Sequence, residues 1–103
     1  MLYQQGDVLI ETVDSIPSDM KEASKVNGRH ILAEGEATGH AHAVVDEGVK
    51  LFGEFGNLFM TTEKEVTVTH EEHHAITIPA GDYKIRQVKE YDHFLEEARN
   101  VRD

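Results

Sequence analysis

Short apolar segments, most of them closed by glycine or a turn-forming pair, run the length of the chain and restrict it to a β fold. The clearest is residues 65–70, where Val66, Val68 and His70 share one face and Thr67 and Thr69 the other. Residues 74–78 repeat the pattern with His74, Ile76 and Ile78 aligned. Strands are also expected over residues 7–13, 29–33, 40–45, 49–55, 57–62 and 83–88. Gly35 and Gly39, Asp46-Glu47-Gly48, Gly56-Asn57 and Pro79-Ala80-Gly81-Asp82 read as the turns between them. Residues 15–27 carry Pro17 and polar side chains and read as a loop with at most one helical turn. Beyond the strands, Asp92 is placed to cap a short C-terminal helix bearing Phe94, Leu95, Ala98 and Val101 at helical spacing. The expected fold is therefore all-β, a single-domain small barrel or sandwich spanning residues 1–103.

The chain is 103 residues long, enough for one modest core. Twenty acidic residues against ten basic ones give a formal charge of −10. Affinity for nucleic acid rests on basic contacts to phosphate, so neither nucleic acid nor an anionic membrane is an expected partner. Cysteine is absent, which excludes disulfides and thiolate metal sites. The first residues lack the basic and apolar regions of a signal peptide, and no apolar run approaches the roughly 20 residues that span a bilayer. A cytoplasmic protein is the expectation.

Against this background the seven histidines stand out, because five fall in two clusters: His40 and His42, then His70, His73 and His74. Imidazole is the commonest metal-ligating side chain. On a strand, residues i and i+2 point to one side with Cα atoms roughly 6.5–7 Å apart, so His40 and His42 can reach one ion. On a helix they would diverge. His70 continues the inward face of Val66 and Val68. For a fourth ligand, His73 needs a turn or bulge after His70, whereas His74 shares the phase of Ile76 and Ile78. His30 and His93 stand alone and read as ordinary histidines. Glu47 is a candidate ligand or imidazole-orienting carboxylate. Glu71 and Glu72 read as solvated, and Lys84 and Arg86 as balancing local acidity.

Residues 35–53 resemble the first motif of the cupin superfamily, in which a glycine precedes an HxH pair, a glutamate and a later glycine. Here these are Gly35, His40, His42, Glu47 and Gly53, and Pro79-Ala80-Gly81 resembles the PxG turn of the second motif. The resemblance implies a small β-barrel holding a metal through His40, His42, Glu47 and one more histidine. That histidine follows the PxG turn in cupins, where this chain has Asp82, Tyr83 and Lys84. The segments Thr38-Gly39-His40-Ala41-His42 and Thr69-His70-Glu71-Glu72-His73 also resemble a group of small bacterial proteins with no assigned activity, and that likeness favours His73 over His74.

The expected cofactor is one divalent transition metal (Zn, Ni, Fe or Cu), since nitrogen donors suit these better than Mg or Ca. Three histidines would leave a position open for catalysis as an oxygenase, isomerase or hydrolase, on a small-molecule substrate that nothing in the sequence names; four would make a structural centre. The alternative is a non-catalytic structural or assembly module, a homo-oligomer whose histidines are not ligands. Self-association as a dimer is expected either way, because both faces of residues 40–45 are apolar and need cover.

Overall fold

The computed structural model describes residues 1–35 and 39–88. These form ten strands, all paired antiparallel, and no helix. They are β1 (Leu2–Gln5), β2 (Val8–Thr12), β3 (Glu22–Ala23), β4 (His30–Glu34), β5 (Ala41–Val44), β6 (Val49–Glu54), β7 (Asn57–Thr62), β8 (Val66–Val68), β9 (Ile76–Ile78) and β10 (Gly81–Gln87). The C-terminal helix expected after Asp92 lies outside the described residues, as do Glu36, Ala37 and Thr38 of the motif around the first histidine pair.

One layer is a six-stranded sheet in the order β1-β2-β10-β7-β6-β3. The other consists of two hairpins, β4-β5 and β8-β9, joined by an isolated bridge between Ala43 and Thr69. That bridge makes both backbone hydrogen bonds, at 3.0 and 2.9 Å, and lays the start of the β8–β9 connection beside β5. The alternating pattern explains the layering. Val8 and Ile10 of β2, Leu58 and Met60 of β7, and Tyr83 and Ile85 of β10 turn to one side. They meet Leu32, Val44, Val66, Val68 and Ile78 from the second layer in one core. The result is a β-sandwich.

Strand β5 is buried along its whole length, which its lack of a polar face required. His42 and Val44 turn toward the main core, whereas Ala41 and Ala43 pack with Ile31 in a second, smaller cluster. The chain itself covers both faces, so the burial of this strand carries no demand for a second copy. Opposite it, β4 shifts register between Ile31 and Ala33. The extra residue at this bulge lets Leu32 and Ala33 both reach the main core.

Several expected boundaries move. The strand expected over residues 7–13 is β2, and Asp7 sits instead in a two-residue turn with Gly6 that returns the chain from an unanticipated β1. Gly6 has φ +57°, which a tight hairpin turn demands and a side chain would resist. Residues 15–27 contain no helical turn, and they hold the short β3, which pairs with β6. The turn between β6 and β7 is Phe55-Gly56, one residue earlier than expected, because Glu54 pairs with Asn57. His70 and His74 leave their strands altogether. Both lie in the connection between β8 and β9, along with Glu71, Glu72 and His73.

Candidate functional site

Three connections meet at one end of the second layer: the entry to β5, the β1–β2 turn and the β8–β9 loop. The first brings His40 and His42, the second Gln5 and Asp7, and the third residues 70–74. Because β8 is bridged to β5 at Thr69 and Ala43, the loop that follows must pass over His42.

The imidazoles of His40, His42, His70 and His73 converge there. Ring centroids lie 4.3 Å apart for His42 and His70, 4.7 Å for His70 and His73, 5.7 Å for His42 and His73, and 5.9 Å for His40 and His70. The fifth expected histidine takes no part in this group. The structure uses the backbone of His74, whose carbonyl accepts a hydrogen bond from Gln5. Glu47 lies beyond the opposite end of β5, exposed, away from its expected partners. Of the expected ligands, the fold therefore assembles four and sets His74 and Glu47 aside.

His42 is the buried member, at 1 % exposure, and its surroundings define its protonation. Gln5 is also buried. Its Nε2 donates to the carbonyls of Val68 at 3.0 Å and His74 at 2.9 Å, so its amide orientation is settled by two acceptors. Its Oε1 must then accept, and it lies 2.8 Å from His42 Nδ1. Nδ1 therefore carries a proton. The other nitrogen, Nε2, faces Asp7 Oδ1 at 3.3 Å. Burial holds the His42 imidazole below its ordinary pKa, and the charge His70 would carry adds to this, while Asp7 pulls the other way.

Asp7 is itself anchored. Its Oδ2 accepts from Gln87 Nε2 at 2.9 Å, and its carbonyl accepts from the Val88 amide at 2.7 Å. The rings of His73 and His70 pack closely on Gly6 and Gly35, so a Cβ at either position would push the imidazole aside. A Cβ on Gly6 would come within 2.6 Å of His73 Nε2, and one on Gly35 within 2.8 Å of His70 Nε2.

Glu71 and Glu72, expected to be merely solvated, are exposed but hold the loop in place. Glu71 accepts from the Ala41 amide at 2.9 Å, which lowers its carboxyl pKa, and it lies 3.7 Å from Arg29. Glu72 Oε1 approaches His40 Nδ1 at 3.1 Å, within ion-pair reach although outside hydrogen-bond alignment. The Glu72 amide donates to His70 Nδ1 at 3.0 Å. A neutral His70 then carries its proton on Nε2. The rings converge, but among the described residues no three His, Asp or Glu side chains are arranged to hold an ion.

A family model described as Domain of unknown function (DUF8820) matches residues 4–88, most of the chain. The chain belongs to that family. The matched span includes every residue of the histidine group and its Gln5, Asp7 and Gln87 supports. No curated protein and no solved structure matches this DUF8820 chain. Among its described residues no helix is long and apolar enough to cross a membrane.

Gln5, Asp7 and Gln87 are the site residues that sequence reasoning missed. The available signal was Gly6-Asp7 between two apolar segments, a pair suited to a two-residue hairpin. Reading it as a turn would have folded Gln5 back toward the rest of the chain.

Proposed function

We propose that this domain binds one divalent transition-metal ion at the histidine group, with His42, His70 and His73 as the nitrogen ligands and His40 at the rim. The observation that carries the proposal is the convergence of imidazoles from two segments well separated in sequence, with the centroids of His42, His70 and His73 lying 4.3 to 5.7 Å apart around a buried His42, and His40 5.9 Å from His70. Stacked neutral imidazoles gain little from one another, and protonated ones repel. A cation shared between their lone pairs reverses that balance. Imidazole donors favour Zn, Ni, Fe or Cu over Mg and Ca.

Binding through His70 requires its ring to give up the Glu72 amide, so the β8–β9 loop adjusts as the metal enters. His70 and His73 belong to a loop, and the buried His42 to a strand. That division suits a preformed anchor with a closing arm. The site lies at the edge of the sandwich with His73 exposed, and a coordination position directed outward would be accessible to a small molecule.

The test is the metal content of the protein purified without a histidine tag, compared with a His42→Ala/His73→Ala variant. One equivalent of a transition metal in the parent, lost in a variant that remains folded by circular dichroism, is the expected outcome. A parent chain free of metal after incubation with excess zinc and desalting would refute the proposal.

A further inference from the structure

We propose that Asp7 is a further ligand of the metal, its carboxylate standing beside His42 Nε2, and that Gln5 is a positioning residue that dictates which nitrogen of His42 binds. This rests on the metal-binding reading above and adds the oxygen donor that the histidines alone do not provide.

The tautomer of His42 is set at Gln5. Its two N–H groups are committed to Val68 and His74 carbonyls, so its oxygen can only accept from His42 Nδ1. A neutral His42 then presents a bare lone pair at Nε2. Asp7 Oδ1, also bearing lone pairs, faces that nitrogen at 3.3 Å. Two acceptors held this close repel unless a cation is shared between them, and the only candidates are a proton and a metal ion. A proton there would make His42 an imidazolium paired with Asp7, and a metal ion would make both groups ligands. Asp7 is held from the opposite side by Gln87 and through its backbone by Val88, so it does not swing away to relieve the contact. Ligating histidines characteristically donate their second N–H to an oxygen acceptor that fixes tautomer and orientation. Gln5 occupies that place for His42.

The carboxylate is also on the correct side of the group. Gly6, its neighbour in the turn, lies directly under His73 Nε2, where a Cβ would come within 2.6 Å. The β1–β2 turn thus brings a carboxylate to His42 and leaves room for His73 in two consecutive residues. The glutamate of the cupin-like motif, Glu47, is at the other end of β5, and Asp7 supplies from a different strand pair the acid that Glu47 does not. Two or three imidazoles with one carboxylate form a mixed nitrogen and oxygen set, which suits Zn, Fe, Co or Ni and disfavours Cu(I).

The experiment uses the full chain, stripped with chelator and titrated with Co(II) at about pH 8, with affinity and visible absorption read for the parent and for Asp7→Asn. Long-range proton–nitrogen NMR on the metal-free parent reads the His42 tautomer. Asp7→Asn is expected to weaken Co(II) binding at least about tenfold and to change the absorption bands. The metal-free variant is expected to melt at or above the parent temperature, because an asparagine N–H can satisfy His42 Nε2 where a carboxylate cannot. The NMR is expected to show a protonated Nδ1 and a bare Nε2. Unchanged binding and spectrum in Asp7→Asn would overturn the assignment of Asp7 while leaving the metal site standing. A metal-free variant that melts well below the parent would make Asp7 a structural partner of an imidazolium and overturn it equally. A proton found on His42 Nε2 would overturn the role of Gln5, and a parent that takes up no Co(II) would remove the metal reading and this one together.

Discussion

Replacing Gln5 with leucine should destabilise the metal-free protein far more than a conservative-looking change at a strand end suggests. Gln5 is 3 % exposed and makes three hydrogen bonds, to Val68 O, His74 O and His42 Nδ1. Leucine matches its size and makes none. A buried polar group left without a partner costs about 1–3 kcal/mol. Val68 O and His42 Nδ1 lie in buried bonds and incur that cost in full, whereas His74 O is part-buried and counts for less. The sum is roughly 2–6 kcal/mol, offset by about 1–2 kcal/mol from burying the leucine methyls. The net expectation is a loss of about 0–5 kcal/mol, centred on about 2.5 kcal/mol, against the 5–15 kcal/mol typical of a domain. Urea denaturation of chelated protein, with the slope checked for constancy, measures it. Gln4→Leu is the matched control, since Gln4 is exposed and bonds only to Gly6 O within its own turn. It should stay within about 0.5 kcal/mol of the parent. A Gln5→Leu variant no less stable than Gln4→Leu would refute the reasoning about the buried network.

The other predictions concern acid and glycine. Burial holds His30 and His42 below the ordinary value of 6.5, and for His30 the nearby Lys25 pushes the same way while Glu22 opposes it. The unfolded chain therefore binds more protons below pH 6.5, so stability is complete above that value and falls as the pH drops toward the lowered folded-state values. Urea midpoints of metal-free protein should be lower at about pH 5 than at about pH 7.5, and His30→Leu should lessen the difference, because it removes one of the two imidazoles that burial holds low. Equal midpoints in the parent would contradict this. Gly6→Ala should cost about 1 kcal/mol from its left-handed backbone and weaken metal binding by displacing His73, as thermal melts and zinc titration would show. Unimpaired zinc binding in that variant would count against His73 as a ligand.

How legible the molecule was depended on the range of the signal. Strand β7 fell where alternation and a preceding glycine placed it, Asn57–Thr62, and β6 ended one residue early. The pairing of His40 with His42 rested on a period of two, a local property, but β5 begins at Ala41 and holds His42 alone of the two. The choice between His73 and His74 was not local, since strand phase favoured His74 and the loop that breaks that phase is set by the Thr69–Ala43 bridge. Gln5 was invisible for the same reason. Its partners at Val68 and His74 lie 63 and 69 positions away, and no periodicity joins them. Asp7 was read as the first residue of a strand, so its carboxylate was never set beside a histidine. Glu47 was chosen by motif spacing, which does not say that β5 separates it from the site.

The most direct test of the metal account is a crystal of the chain grown with Zn(II), with diffraction recorded on both sides of the zinc absorption edge. The account predicts one strong anomalous peak about 2.1 Å from His42 Nε2, with Asp7 and His73 beside it. A fully zinc-supplemented crystal with no anomalous peak at His42, or a peak bound only by surface residues elsewhere, would contradict it.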